Sequence, residues 1–197
     1  MSTLKGSTYL ARLAFLDQKY EEDDRRRVFA TLPEQDIAIL QGKILPGSWY
    51  PRDVFTRLVE GIDQVLGDGD YRLVRKMGYF AADLQLSSVY SSFIRPGDPS
   101  FLMNKAGSAW GLFHTYGRIE SRLEAPFHAS LIVRELGYPD ITTVEGVIGW
   151  SCRGLEMSGC TDIRFRYKPL SSAAGDAFHI LIVWKMADKL SAEGSKD

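Results

Sequence analysis

The chain is poor in the residues that most site chemistry needs. Among 197 residues there are two cysteines and three histidines. Cys152 and Cys160 stand eight apart, unlike the close pairs of zinc sites, and His114, His128 and His179 are scattered singly. No pair has ligand spacing, so neither a metal nor another cofactor is expected. Glycine-rich phosphate loops, serine elbows and paired-carboxylate signatures are also missing. The string Gly67–Asp68–Gly69–Asp70 opens like a calcium loop but lacks the later acidic ligands, and reads as a turn plus helix cap. A net charge of −1 gives no electrostatic case for nucleic acid or an anionic membrane. Apolar runs fall short of the ~20 residues of a membrane span, and the N-terminus lacks a signal-peptide pattern. The expected location is therefore the cytoplasm.

What is present is an ordinary globular balance of 45% apolar and 25% charged residues. The length suits a single domain, residues 1–197 with an ordered core of about 6–188, burying roughly 70% of the extended-chain surface. The tail Ser191 to Asp197 is small and polar and reads as a loose end.

The back half is the most informative stretch. Thr142 and Glu145 have capping-box spacing, and Val144, Ile148, Cys152 and Leu155 recur at helical intervals, with Gly159 placed to end the helix. Gly146, Gly149 and Gly154 are poor helix formers, so a helix that keeps them is expected to press closely on a neighbour. Cys152 is expected in its core. Ile163, Phe165 and Tyr167 alternate with Arg164, Arg166 and Lys168 as a half-buried strand. Ala177 to Trp184 is apolar on both faces and reads as a central strand, reached through the loop Ser171 to Asp176. Upstream, Arg118 to Glu124 and Phe127 to Arg134 form another hairpin around Ala125–Pro126.

The front half reads as helices. Thr8 to Leu16 favours helix over strand, Glu21 to Leu32 carries a charge block on a solvated helix, and Pro33 to Leu40 adds a short one. Three stronger helices follow. Pro51 opens the first, with Val54, Leu58, Ile62 and Val65 on one face before Gly67. Leu73, Met77, Phe80, Leu84 and Ser88 mark the second. The third opens at Asp98–Pro99, with Leu102, Ala106, Ala109, Trp110 and Phe113 facing inward and Gly107 and Gly111 forming a flat groove. The implied fold class is α+β: a four-stranded antiparallel sheet, two hairpins flanking a helix, with an N-terminal helical layer packed on one face.

Catalysis would need Cys152 or Cys160 beside a histidine, and nothing in the sequence brings them together, so no catalytic residue is assigned. The aromatics are the remaining signal. Trp110, Phe113, His114 and Tyr116 gather at the end of the third helix. Two readings stay open: these residues are core, or they wall an apolar cavity in which His114 and a tyrosine orient a ligand. Trp150 and Met157, large residues beside the small-residue face, join the candidate ligand-binding set of Trp110, Phe113 and His114. Trp49 and Tyr50 are candidate interface anchors.

The pieces Gly47 to Phe55 (GSWYPRDVF), Tyr116 to Glu120 (YGRIE), Gly149 to Cys160 (GWSCRGLEMSGC) and Gly175 to Trp184 (GDAFHILIVW) resemble a paralogous family of uncharacterised proteins described from myxobacteria. That family looks like a divergent branch of the 4-vinyl reductase-type domains, which have a TRAPP-like fold. The resemblance implies a non-catalytic sensor or scaffold that forms a homodimer through helices, holds a small apolar ligand and signals through a separate protein partner. Zinc-bearing members carry cysteines around the last hairpin; Pro169 to His179 has none, so zinc is not carried over. Two alternatives are a purely structural interaction subunit and a small enzyme using cysteine or histidine.

Overall fold

The structure, a computed structural model, describes residues 2–171, 173 and 176–187. The tail from Ser191, and Ser172, Ala174 and Gly175 of the last connection, lie outside the described residues. The chain begins with β1 (Thr3–Lys5), α1 (Gly6–Lys19), α2 (Glu22–Phe29) and α3 (Glu34–Gln41). It continues through β2 (Trp49–Pro51), α4 (Arg52–Leu66) and α5 (Arg72–Leu86). After a short turn come α6 (Pro99–Asn104), α7 (Ala106–Phe113), β3 (Arg118–Ala125) and β4 (His128–Arg134). α8 (Ile141–Met157), β5 (Cys160–Leu170) and β6 (Ala177–Met186) complete it.

The architecture is α+β. Four strands form an antiparallel sheet in the order β3-β4-β6-β5, while β1 and β2 pair separately as a two-stranded ribbon. The two hairpins do bracket a helix, α8, and β6 is an inner strand. Its residues alternate: Phe178, Ile180, Ile182 and Trp184 are buried, while His179, Leu181 and Val183 are half-buried. One sheet face is therefore covered and the other is more open, unlike the two-sided burial expected for this strand. The covering layer also differs from the expectation. α8 lies against β5, with α6 and α7 against β3, and α5 lies against α8.

Two apolar clusters result. One gathers Leu4, Tyr9, Phe15, Leu58, Ile62 and Met77 within the N-terminal helices, and the other gathers Leu131, Val133, Ile148, Leu155, Phe178 and Ile180 around the sheet. Tyr116 packs against both.

Several local readings are corrected by tertiary contacts. α8 is capped by Asp140, whose carboxylate accepts from the Thr143 backbone N–H (2.9 Å) and the Thr142 hydroxyl (2.6 Å). Glu145 is instead drawn across to Arg75 (2.7 Å), so the capping box does not form. The expected third helix divides at Lys105 into α6 and α7, although Asp98 caps its start as expected, accepting from Phe101 N–H. Leu84 is exposed, because α5 turns Ala81, Ala82 and Leu86 inward instead. Cys152 is half-buried and Cys160 is the core thiol. Gly159, at φ 92°, ends α8 in the left-handed conformation.

The join between α5 and α8 brings two backbones together. A Cβ on Gly149 would lie 2.0 Å from the Arg75 carbonyl oxygen, and one on Gly78 would lie 2.3 Å from that of Gly146. Polar pairs flank the contact: Arg75–Glu145, Arg153–Asp83 (2.5 Å) and Trp150 Nε1 donating to Gln85 (3.0 Å). Gly146 and Gly149 thus press α8 on a neighbouring helix, as expected of a helix that keeps them, and the expected homodimer gains no support from this contact. Gly149→Ala should force the helices apart and cost about 1–3 kcal/mol or more. Gly111→Ala, in open space on α7, should be neutral or stabilise by up to ~1 kcal/mol. Urea unfolding of both variants checks this; equal effects would refute a backbone-limited contact.

Candidate functional site

A cavity of about 100 Å³ lies along this join, lined by Arg12 and Thr8 of α1, Phe55 of α4, Gly78, Ala81 and Gln85 of α5, and residues of α6, α7, β3, β4 and α8. Of the residues singled out from sequence, the structure brings Trp110, Phe113, His114 and Trp150 to its wall. Met157 is not on the wall; it closes the last turn of α8. Trp49 is 44% exposed on β2 with Lys5 over its ring, whereas Tyr50 is half-buried against the N-terminal core and its hydroxyl accepts from the Leu45 N–H (2.9 Å).

His114 follows the last residue of α7 and is pinned there by the ribbon, where Leu4 bridges to it and Thr115 N–H donates to the Thr3 carbonyl (3.1 Å). Its imidazole stacks on the Trp110 indole at 3.5 Å and 6°, with Nδ1 3.2 Å from the Trp110 carbonyl. Trp110 Nε1 donates to the Tyr116 carbonyl (2.8 Å), fixing the indole, and Tyr116 meets the imidazole edge-on. Burial, helped by the positive charges of Arg12 and Arg52, pushes the imidazolium down to about 3. His114 is therefore neutral at physiological pH.

Two buried arginines bracket this cluster and differ in their compensation. Arg52 is sandwiched between the rings of Tyr116 and Tyr138 at 4.0 and 4.1 Å. It donates to the Leu136 carbonyl and pairs with Asp140 (2.5 Å). Burial alone would raise Asp140, but hydrogen bonds from Thr142, Arg52 and Thr143 outweigh it and hold the carboxyl below its ordinary range. That ion pair supplies a counter-charge, although Arg52 Nε has no hydrogen-bond partner among the described residues. Arg12, only 6% exposed, has no carboxylate within ion-pair distance among the described residues. Its Nη1 donates to the Met77 carbonyl (3.2 Å), its guanidinium lies over Phe55 at 5.4 Å, and its Nε has no partner among the described residues. Burial pulls it down to about 10, so it stays a cation at neutral pH. Thr8, one turn earlier on the same face, also lacks a partner for its buried hydroxyl.

Thr8 and Arg12 were not singled out from the sequence. The available signal was a polar pair at i and i+4 inside an otherwise apolar helix. The thiols show no sign of activation: burial raises both Cys152 and Cys160 to about 11. Among the described residues no group of three or more His, Cys, Asp or Glu could hold a metal ion. Nor is any helix there long and apolar enough to cross a membrane.

No family model and no curated protein sequence matches the chain. Solved structures do. The Fe(II) unliganded H-NOX protein from K. algicida superposes with a TM-score of 0.72 at 9% identity, covering 95% of this chain and all of that one. The chain has the H-NOX fold. An oxygen-binding H-NOX domain related to soluble guanylate cyclases gives 0.64 at 12% identity, over 91% of this chain and 92% of that one. A structure described for modulating heme redox potential through porphyrin distortion gives 0.65 at 13%, over 91% and 99%. At these identities the likeness speaks for fold alone. It overturns the kinship with the myxobacterial family and with 4-vinyl reductase-type, TRAPP-like domains, and with it the function of that type. The quoted phrases describe a helix between two hairpins, a local order that more than one fold satisfies.

The neutral His114 makes a pH prediction. Unfolded, a histidine binds its proton near 6.5, whereas here it does so near 3. Between those values the unfolded state holds the extra proton, so stability falls as pH drops through that window. The loss attributable to His114 should reach about 2 kcal/mol at pH 5. Urea midpoints at pH 7 and pH 5 for the native chain and for His114→Phe test this, and an unchanged pH slope in the variant would refute it.

Proposed function

We propose that the chain is a ligand-sensing domain on the H-NOX fold, in which filling of the cavity biases the join between α5 and α8. The observation that supports this is the placement of the cavity: N-terminal helices, α8 and the sheet all contribute to its wall. A molecule inside would bear on both halves at once, and the α5–α8 contact would report its presence to a separate protein partner. Trp110, Phe113, His114 and Trp150 are proposed as the ligand-contacting set, with Thr8 and Arg12 added.

The group named for one fold neighbour is heme. His114 has a suitable donor chemistry, an imidazole oriented by a backbone carbonyl through Nδ1. The space is unsuitable. A cavity of about 100 Å³ falls below the roughly 300–1,000 Å³ of drug-sized ligand sites, and a porphyrin is not smaller than such ligands. The stacked Trp110 and His114 rings are themselves part of its wall. The residues present do not fit heme, and the ligand proposed is a smaller one.

Protein purified from cells supplied with a heme precursor should show no Soret absorption, and native mass spectrometry should give the bare chain or a small adduct. A stoichiometric Soret band lost in His114→Ala would replace this reading with a heme-bound sensor.

A further inference from the structure

The cavity carries one feature that an apolar ligand alone does not explain. A cationic guanidinium on its wall is buried with no counter-charge among the described residues, and its Nε has no acceptor there. Buried charges are ordinarily paired, because desolvation penalises the isolated ion. Asp140, the nearby acid, is already engaged by Arg52 and by the start of α8. The space beside Arg12 is kept open by Gly146, where a Cβ would approach Nη2 to 3.8 Å. Thr8 adds a second unpartnered donor from the same helix face. The remaining wall is aromatic and aliphatic: Phe113, Trp150, Leu102, Ile119 and Leu131.

We propose that the cavity ligand is a small carboxylate with an apolar body, its carboxylate held by Arg12 and Thr8 and its body packed on Phe113 and Trp150. A planar guanidinium fork matches a carboxylate in geometry and charge. One cation with no second beside it suits a monoanion better than a phosphate. Size limits the body: an apolar cavity of about 150 Å³ holds benzene, and this one is smaller, about 100 Å³, so a short-chain acid suits it better than an aromatic one. The candidates are thus short-chain acids first, with benzoate at the upper limit of size. The inference rests on the sensing role proposed above, and it names what is sensed.

Benzoate and butyrate serve as probes, with benzamide and toluene as neutral counterparts. Thermal shift and tryptophan fluorescence titrations should show benzoate or butyrate binding at least tenfold tighter than benzamide or toluene. Arg12→Met should abolish that preference, and Arg12→Lys should retain part of it. Without any probe, Arg12→Met should melt no lower than the native chain, because it removes an uncompensated charge and keeps the volume; this separates lost binding from misfolding. If benzamide or toluene binds as well as the acids, the carboxylate assignment falls while a ligand-sensing cavity stands. If no probe of either kind perturbs the tryptophans, both fall.

Discussion

The contact between α5 and α8 is the constraint on which the rest of this fold depends. Gly78 against Gly146, and Gly149 against Arg75, let two backbones meet without side chains between them. The approach is exacting because backbone cannot yield as a flexible side chain does. Ion pairs and the Trp150–Gln85 hydrogen bond then set the alignment of the two helices. Since α5 belongs to the N-terminal half and α8 lies on the sheet, this one contact positions the two apolar clusters. The small residues that permit it, Gly78, Ala81 and Gly146, also leave the space that becomes the cavity.

The electrostatics of the interior follow a simple contrast. Arg52 is buried with a counter-charge, Asp140, and with two aromatic faces and a carbonyl, its Nε lacking a partner among the described residues. It serves structure, tying the start of α4 to the start of α8. Arg12 has comparable burial, one carbonyl and one aromatic face, and an open cavity beside it. One buried cation has a carboxylate partner and the other has none among the described residues, which presents two different uses of the same side chain. His114 belongs with the second: the positive charges around it help keep it neutral, so it offers a ring nitrogen and not a charge.

The likeness to H-NOX structures corrects the kinship read from sequence phrases, and the reason is instructive. Those phrases came mainly from the last hairpin and α8, where local order resembles other sheet-and-helix platforms. Identities of 9–13% carry no motif that a reader of one sequence would recognise. Agreement over more than nine-tenths of the chain lies in how the pieces pack, not in which side chains they carry.

The amino-acid pattern alone determined the α+β class, both hairpins with the helix between them, the three stronger helical stretches and the Asp98 and Gly159 helix ends. All are local: period two or 3.6, a cap three residues away, a glycine free to take positive φ. It also marked Trp110, Phe113, His114 and Trp150, because aromatics clustered around small residues are visible without coordinates. Only the tertiary structure decided that Asp140 caps α8 while Glu145 crosses to Arg75, that Gly78, Gly146 and Gly149 lie where α5 meets α8, and that Met157 stays off the cavity wall. It alone brought Arg12 and Thr8 from the first helix to the aromatics of α7. Whether a buried charge finds a partner depends on which distant segments fold beside it, and no periodicity within one segment contains that information.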